Sequence, residues 1–316
     1  MADLPTDRGV GRGALLYHQR IDADSLDPTS RTFDQQDVYL VTRSGEHVRV
    51  GRTPPDTGPL NLSLSPDGRW LAAERNGHWR VRDLSGVAEY EVADGYMPWL
   101  WSTDARSLLL AEPSADGRTF ETMTLPGGVT RRLEVRTPRV ATEVAFVAGR
   151  ELAVFDGNPW VDPSGPKELG ITLTDVLTGT NRTLPVVAPG QTKPGEMVGP
   201  LVALWHAGGS PPSIWMEVGR PDLVPTGRPE GMLVSPSVAL LGVDVASGAS
   251  TARIEMSSAG DDRRELCRGV VADGVVLQRW TATTTELIVV DPHRGTRRVV
   301  TTLPGSAMVL VPGARQ

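Results

Sequence analysis

The chain has 316 residues, with 32 basic and 38 acidic side chains and a formal net charge of -6 at pH 7. Since nucleic-acid binding needs a clustered positive field, this charge argues against a nucleic-acid partner. The 34 glycines and 26 prolines favour many short strands joined by tight turns over long helices. The sequence contains no apolar run long enough for a predicted transmembrane helix.

A glycine-containing turn between two strand-like segments occurs six times along the chain. Its marker glycines are Gly45, Gly86, Gly127, Gly179, Gly248 and Gly295. An aspartate opens four of the turns, at Asp83, Asp175, Asp244 and Asp291. A carboxylate in this position is expected to accept backbone N–H groups while the glycine adopts a positive φ. The first two spacings between markers are 41 residues each, which is typical of a four-stranded propeller blade.

Strand-like segments surround the markers in the same order, four to a unit from the second unit onwards. They lie at 61–65, 69–75, 78–84 and 87–93; at 98–102, 107–112, 119–125 and 130–135; at 142–147, 151–156, 170–176 and 181–187; at 198–206, 213–218, 238–245 and 251–256; and at 268–272, 275–280, 286–290 and 297–303. The first unit offers only 14–19, 38–42 and 47–50, whereas the C-terminus has a surplus strand at 306–311. We therefore predict an all-β propeller of six four-stranded blades over residues 13–316, with residues 1–12 as a lead segment. Strand 306–311 completes the first blade and closes the ring, leaving no long sheet edge exposed.

One turn carries a family resemblance. The segment Ser65-Pro66-Asp67-Gly68-Arg69 resembles the repeat motif of TolB-like and WD40-like propellers, and Ser102 to Arg106 is a degenerate copy of it. The resemblance implies a propeller fold and says little about function. The segment 4–11 is similar to the start of bacterial propeller ectodomains that follow a membrane anchor. Two locations stay open, an extracytoplasmic domain of a membrane-anchored protein and a cytoplasmic protein.

The long links are predicted to lie on one face of the propeller. They are 21–37, 113–118, 157–169 and 219–237 between second and third strands, and 188–197 and 257–266 between blades. Since loops on a rigid scaffold often carry binding, this face is the predicted functional surface. Its candidate binding residues are Trp160, Asp162, Asp156, Asp22, Asp24 and His206, with Trp160 as an aromatic anchor. The other tryptophans are mostly expected to pack between blades.

The sequence contains no G-x-S-x-G elbow, P-loop or H-E-x-x-H motif. The single cysteine, Cys267, is expected to be a buried structural thiol. This pattern favours a monomeric, non-enzymatic scaffold that binds a protein or peptide, with no cofactor. The alternative is a channel-centred enzyme, a calcium-dependent lactonase or hydrolase, or a lyase acting on a small molecule. On that alternative, Asn61 and Glu143 are the candidate calcium ligands.

Overall fold

The computed structural model describes residues 2–20, 37–52, 62–75, 77–114, 117–137, 144–148, 151–156, 170–175, 178, 180–184, 192–198, 206–208, 213–220, 237–244, 246–257, 265–271, 274–281 and 283–313. Within these ranges the secondary structure is β-strand and turn, with no helix. The described residues accordingly contain no helix able to cross a membrane. The fold is an all-β propeller.

The strands form six sheets, which we number in chain order. The first sheet contains β1 (Ala2–Asp3), β2 (Gly13–Arg20), β3 (Asp37–Thr42), β4 (His47–Arg52) and the C-terminal β26 (Ser306–Leu310). The second contains β5 (Leu62–Leu64), β6 (Trp70–Arg75), β7 (His78–Asp83) and β8 (Glu89–Glu91), and the third β9 (Met97–Trp101), β10 (Ser107–Ser114), β11 (Gly117–Thr124) and β12 (Val129–Thr137).

The remaining three sheets follow the same order along the chain. The fourth contains β13 (Val144–Ala148), β14 (Glu151–Asp156), β15 (Gly170–Asp175) and β16 (Asn181–Leu184). The fifth contains β17 (Met197–Val198), β18 (His206–Gly208), β19 (Ser213–Gly219), β20 (Ser237–Asp244) and β21 (Ser250–Glu255), and the sixth β22 (Glu265–Val271), β23 (Gly274–Trp280), β24 (Thr284–Val290) and β25 (Arg297–Pro304).

Apolar side chains hold successive sheets face to face. One cluster joins Trp70 of the second sheet to Trp101 and Leu108 of the third. Another joins Trp215 of the fifth sheet to Cys267 of the sixth. Further clusters join the first sheet to the second, the third to the fourth, and the sixth to the first. The first, second, third and sixth sheets each have such a cluster on both faces. Burying this apolar area stabilises the fold by about 25 cal/mol per Å². The predicted packing of tryptophans between blades is confirmed for these three.

The C-terminal strand pairs as the sequence predicts. In the first sheet β26 lies beside β2, in an antiparallel register that runs from Leu16 opposite Leu310 to Arg20 opposite Ser306. The predicted burial of Cys267 is also confirmed, because its side chain is fully buried. This burial raises the pKa of the thiol.

The aspartate turns have the predicted chemistry. The Asp291 carboxylate accepts the N–H groups of His293 and Arg294, and Asp244 does the same for Ala246 and Ser247. Positive φ is confirmed at the marker glycines Gly45, Gly127, Gly248 and Gly295. The prediction is wrong at Gly86, whose N–H donates to the Asp83 carbonyl as the fourth residue of its turn, a position open to ordinary φ. Gly179 lies outside the described residues.

One predicted loop is wrong. The sequence predicts a long link over 113–118, but β10 extends to Ser114 and β11 begins at Gly117, with Pro113 opposite Arg118 and Ser114 opposite Gly117. The pairing of β10 with β9 already ends at Ala111. At Pro113, the edge of β10 that faces β9 therefore has no strand partner. A proline, which lacks an N–H, is tolerated at such an edge.

The lead segment contributes to the fold more than the sequence suggests. Its two-residue strand β1 pairs in parallel with β4, and Leu4 is buried in the cluster between the first two sheets. The N–H groups of Val10 and Gly11 both donate to the carbonyl of Leu84. Arg82 of the second sheet is buried, and its guanidinium donates to the carbonyls of Pro5 and Arg8. The segment therefore ties the outer edge of the first sheet to the second.

We expect Arg82→Ala to lower the free energy of unfolding by about 2 kcal/mol, since hydrogen bonds made by a charged group contribute about 1.5–3 kcal/mol. Denaturant unfolding measures the loss, and trypsin should cut faster at the exposed Arg8. Arg80→Ala is the matched control: Arg80 lies on the same strand and pairs with Glu89 and Glu91 at the surface. The control should lose less than about 1 kcal/mol. Equal losses from the two variants would contradict the role assigned to Arg82.

Candidate functional site

The long links leave the sheets at one end. Residues 21–36, 157–169 and 220–236 connect second to third strands in the first, fourth and fifth sheets. In antiparallel sheets these links and those between sheets lie at one end, whereas links from first to second and from third to fourth strands lie at the other. At that other end the longest link between strands assigned in the described residues is 291–296. We call the first end the loop-rich face and the second the turn face.

Most of the predicted site residues lie outside the described part of the chain. These are Asp22, Asp24, Trp160 and Asp162 on the long links, together with Asn61 and Glu143, the candidate calcium ligands. The backbone of Asp156 is described: it is the last residue of β14, opposite Gly170, at the base of the link 157–169. His206 begins β18, opposite Trp215, instead of closing an inner strand as predicted. The side chains of Asp156 and His206 lie outside what is described.

The turn face carries a duplicated hydrogen-bond network. In the second sheet the Ser65 hydroxyl donates to Asp67 Oδ1 (2.7 Å) and accepts the N–H of Trp70 (2.9 Å), and the N–H of Arg69 donates to the same carboxylate oxygen (3.0 Å). In the third sheet Ser102, Asp104, Arg106 and Ser107 repeat these bonds at 2.6, 2.8 and 3.0 Å. The two copies recognised in the sequence therefore form the same turn.

The glycine of the motif is required in only one copy. Gly68 has a φ of 72°, and a Cβ at this position would collide with the carbonyl oxygen of Gly13. In the third sheet Ala105 takes the equivalent place with a φ of 59°, a left-handed conformation that costs a non-glycine residue roughly 1 kcal/mol. The shared network of Ser102 and Asp104 holds this turn despite the strain.

Arg69 is locked by a buried carboxylate. Its guanidinium pairs with Asp83 at 2.6 Å and lies 4.8 Å from the ring centre of Trp70. Burial opposes ionisation of Asp83, but the hydrogen bonds from Arg69 and from the Ser85 N–H outweigh it and hold the pKa of Asp83 below its usual range. The positive charge of Arg69 is therefore compensated by an ion pair within the second sheet.

Arg106 is the counterpart of Arg69 in the third sheet. Strand pairing places Asp83 opposite Trp70 in the second sheet and Thr124 opposite Ser107 in the third, so a threonine stands where the acidic partner would be. Arg106 is exposed, and among the described residues no carboxylate pairs with its guanidinium. Comparing the two copies in the sequence would have identified this difference, since Asp83 and Thr124 occupy equivalent positions.

The two turns enclose an open cleft of about 530 Å³. It is lined by Asp67, Arg69, Trp70, Asp104, Ala105, Arg106, Thr124, Leu125 and Pro126. Charged groups of both signs at the rim can pair with ionic or amide groups of a bound chain. Among the described residues no group of three His, Cys, Asp or Glu side chains is arranged to hold a metal ion. The cleft lies on the turn face, opposite the predicted functional surface.

We expect Asp83→Asn to destabilise the fold at pH 7 by about 2 kcal/mol, because it removes the acidic partner of a partly buried arginine. The pKa of Asp83 is depressed in the folded state, so its stabilisation is present above the unfolded-state value of about 3.9 and is lost as the pH falls through the folded-state pKa. Denaturant unfolding at pH 7 and below pH 4 should show the difference from wild type shrinking in acid. Asp94→Asn, which removes an exposed carboxylate beside His78, is the control and should change little at pH 7. A pH-independent deficit in Asp83→Asn would contradict the ionic role.

No protein-family model matches the chain, and no curated protein matches it. Among solved structures, TolB from Acinetobacter baumannii is similar, with a TM-score of 0.53 and 15% identity over 94% of this chain and 65% of that one. Pyrococcus horikoshii acylaminoacyl peptidase has a TM-score of 0.51 and 15% identity over 95% and 46% of the two chains. A putative TolB from Agrobacterium tumefaciens has a TM-score of 0.45 and 12% identity over 95% and 99%. This chain thus spans less than two thirds of the first two proteins, and the similarity shows a fold like the TolB β-propeller.

Proposed function

We propose that this chain is a six-bladed propeller, closed by its C-terminal strand, that binds a protein or peptide partner without catalysing a reaction. The ring is supported by the presence of six sheets and by the pairing of β26 with β2. It is supported further by apolar clusters that join the sixth sheet to the first and the first to the second. A closed ring of this kind is a rigid support for loops.

The proposed binding surface is the loop-rich face. The observation that carries this proposal is the contrast in link length: 21–36, 157–169 and 220–236 leave this end, whereas no link between assigned strands at the turn face exceeds 291–296. Rigid sheets that present long loops on one side are a common arrangement for recognition. The turn face is committed to tight, hydrogen-bonded turns, so insertions there would disrupt the sheets.

The proposed contacts combine one aromatic anchor with acidic groups. Trp160 lies in the link after β14, with Asp156 and Asp162 on either side of it in sequence, and Asp22 and Asp24 lie in the link after β2. Together with His206, these residues suit a partner that presents a basic segment and an apolar pocket for the indole. Buried aromatic anchors contribute much of the binding energy in protein interfaces.

The competing proposal is a channel-centred enzyme that uses calcium held by Asn61 and Glu143. The structural similarities are compatible with either function, because they show the fold alone. Calcium titration followed by calorimetry separates the two proposals: specific binding that Asn61→Ala abolishes favours the enzyme.

We expect a double variant, with Trp160→Ala and residues 22–36 replaced by a Gly-Ser-Gly linker, to lose partner binding by at least about 30-fold. Affinity capture with the wild-type chain, followed by mass spectrometry, identifies the partner, and calorimetry with the purified partner measures the loss. The shortened link leaves β2 and β3 intact as a hairpin, and unfolding curves verify that the variant folds.

Arg106→Ala is the matched control, because it removes an exposed side chain on the opposite, turn face. This control should bind the purified partner as wild type does. If the double variant also binds with wild-type affinity, the loop-rich face is not the recognition surface. If only Arg106→Ala loses binding, recognition belongs to the turn face.

A further inference from the structure

Arg268 occupies an irregular position on the innermost strand of the sixth sheet. The pairing of β22 with β23 runs regularly from Glu265 to Cys267, skips Arg268 and resumes at Gly269. The extra residue makes a β-bulge, a feature that re-aims a side chain and is over-represented next to functional sites. The bulge directs the guanidinium towards β26, the innermost strand of the first sheet.

One buried side chain and two more exposed ones contact this guanidinium. Arg268 Nε donates to Gln278 Oε1 at 2.6 Å, and the fully buried Gln278 in turn donates to the carbonyl of Ala307 at 2.5 Å. Arg268 Nη2 lies 3.4 Å from the sulfur of Met308, and the Trp280 ring centre is 5.7 Å from the guanidinium carbon. An arginine has five N–H donors, so three remain without a partner among the described residues.

The charge of Arg268 is poorly compensated compared with its neighbours. In the same sheet Arg279 pairs with Glu286 at 2.5 Å and Arg297 with Glu265 at 2.8 Å. Arg268 has no carboxylate within ion-pair distance in the described part of the chain. The Glu217 carboxylate, which accepts a hydrogen bond from Ser237, acts on it only from farther away.

Burial lowers the pKa of Arg268 to about 10, so the side chain is still a cation at neutral pH. A desolvated cation with unused donors gains substantially from an anion that completes its hydrogen bonds. The adjacent thiol of Cys267 supplies no charge, because burial raises its pKa.

We propose that Arg268 is the anchor of a binding site for a carboxylate ligand between the innermost strands β22 and β26. A planar guanidinium pairs with a planar carboxylate through two parallel hydrogen bonds. The thioether of Met308 and the indole of Trp280 supply apolar walls, and Met308 is 37% exposed, so a ligand can reach them. The ligand is therefore a carboxylate attached to an apolar body, either a free small acid or the C-terminus of a peptide.

The direct test is titration of the wild-type chain with benzoate, monitored through the ¹³C-labelled methionine methyl groups. A Met308→Leu variant assigns the Met308 signal among the eight methionines. We expect benzoate to shift this signal with a Kd of about 1–10 mM, as suits a ligand of this size. Benzamide has nearly the same shape without the charge and should not shift it. A Met308 signal that does not respond to benzoate, or responds equally to benzamide, overturns the proposal.

Variants then test the role of the cation itself. Arg268→Gln should weaken benzoate binding at least about tenfold, and Arg268→Lys, which keeps the charge without the planar fork, should fall between it and wild type. Arg106→Gln removes an exposed arginine of the turn face and should bind as wild type does. If Arg268 serves ligand binding and not stability, Arg268→Gln should unfold at or above the unfolding temperature of the wild type. A large loss of stability with unchanged benzoate affinity would show that Arg268 is purely structural.

Two peptides distinguish the sources of the carboxylate. Acetyl-Phe-Ala with a free C-terminus and the same peptide amidated are titrated as benzoate was. Tighter binding of the free acid than of benzoate assigns the site to a chain end, and the reverse order assigns it to a small acid. Both orders support the proposal, whereas equal binding of the free and amidated peptides contradicts it. The proposal does not depend on the loop-rich face, since Trp160 and residues 22–36 are unchanged in every variant used here.

Discussion

The antiparallel pairing of the last strand with the first full strand is the interaction on which the fold depends. A sheet that ended at β2 would leave unpaired N–H and C=O groups on its inner edge, and β26 satisfies them through the register from Leu16 to Arg20. The same pairing brings Ala307 and Val309 into the cluster between the sixth and first sheets. It also places Met308 and the Ala307 carbonyl beside Arg268. Stability and the proposed carboxylate site therefore share one contact between distant parts of the chain.

The sequence predicts the fold well where local chemistry decides it. Turn aspartates, strand segments and the surplus C-terminal strand are visible in the residues themselves, and the pairing of β26 follows from counting strands. The strand β1 is missed because two residues carry no periodic pattern, and it forms only through a long-range pairing with β4. The continuation of β10 past Pro113 is missed because proline normally ends a strand, unless that edge is free.

The candidate sites are harder to predict from the sequence than the fold is. Trp160 and the acidic loop residues remain predictions, since they lie outside the described residues. The turn-face cleft needed the strand register, which shows that Thr124 replaces Asp83 and leaves Arg106 without the partner that Arg69 has. Arg268 was not recognised because a bulge, which depends on pairing between two strands, decides where its guanidinium points. For both Arg106 and Arg268, the carboxylate missing from the neighbourhood becomes evident only when strand pairing shows which residues lie beside the arginine.

Both ends of the chain build one sheet, and we propose that this sheet closes the propeller on which the loops are supported. Native-state hydrogen exchange of the wild-type chain tests this most directly. If β26 seals the first sheet, we expect the amides of Val309 in β26 and Leu16 in β2 to exchange only by global unfolding, as slowly as Leu71 in β6. Fast exchange across β26, at denaturant concentrations where β6 stays protected, would show an open first sheet and contradict this closure.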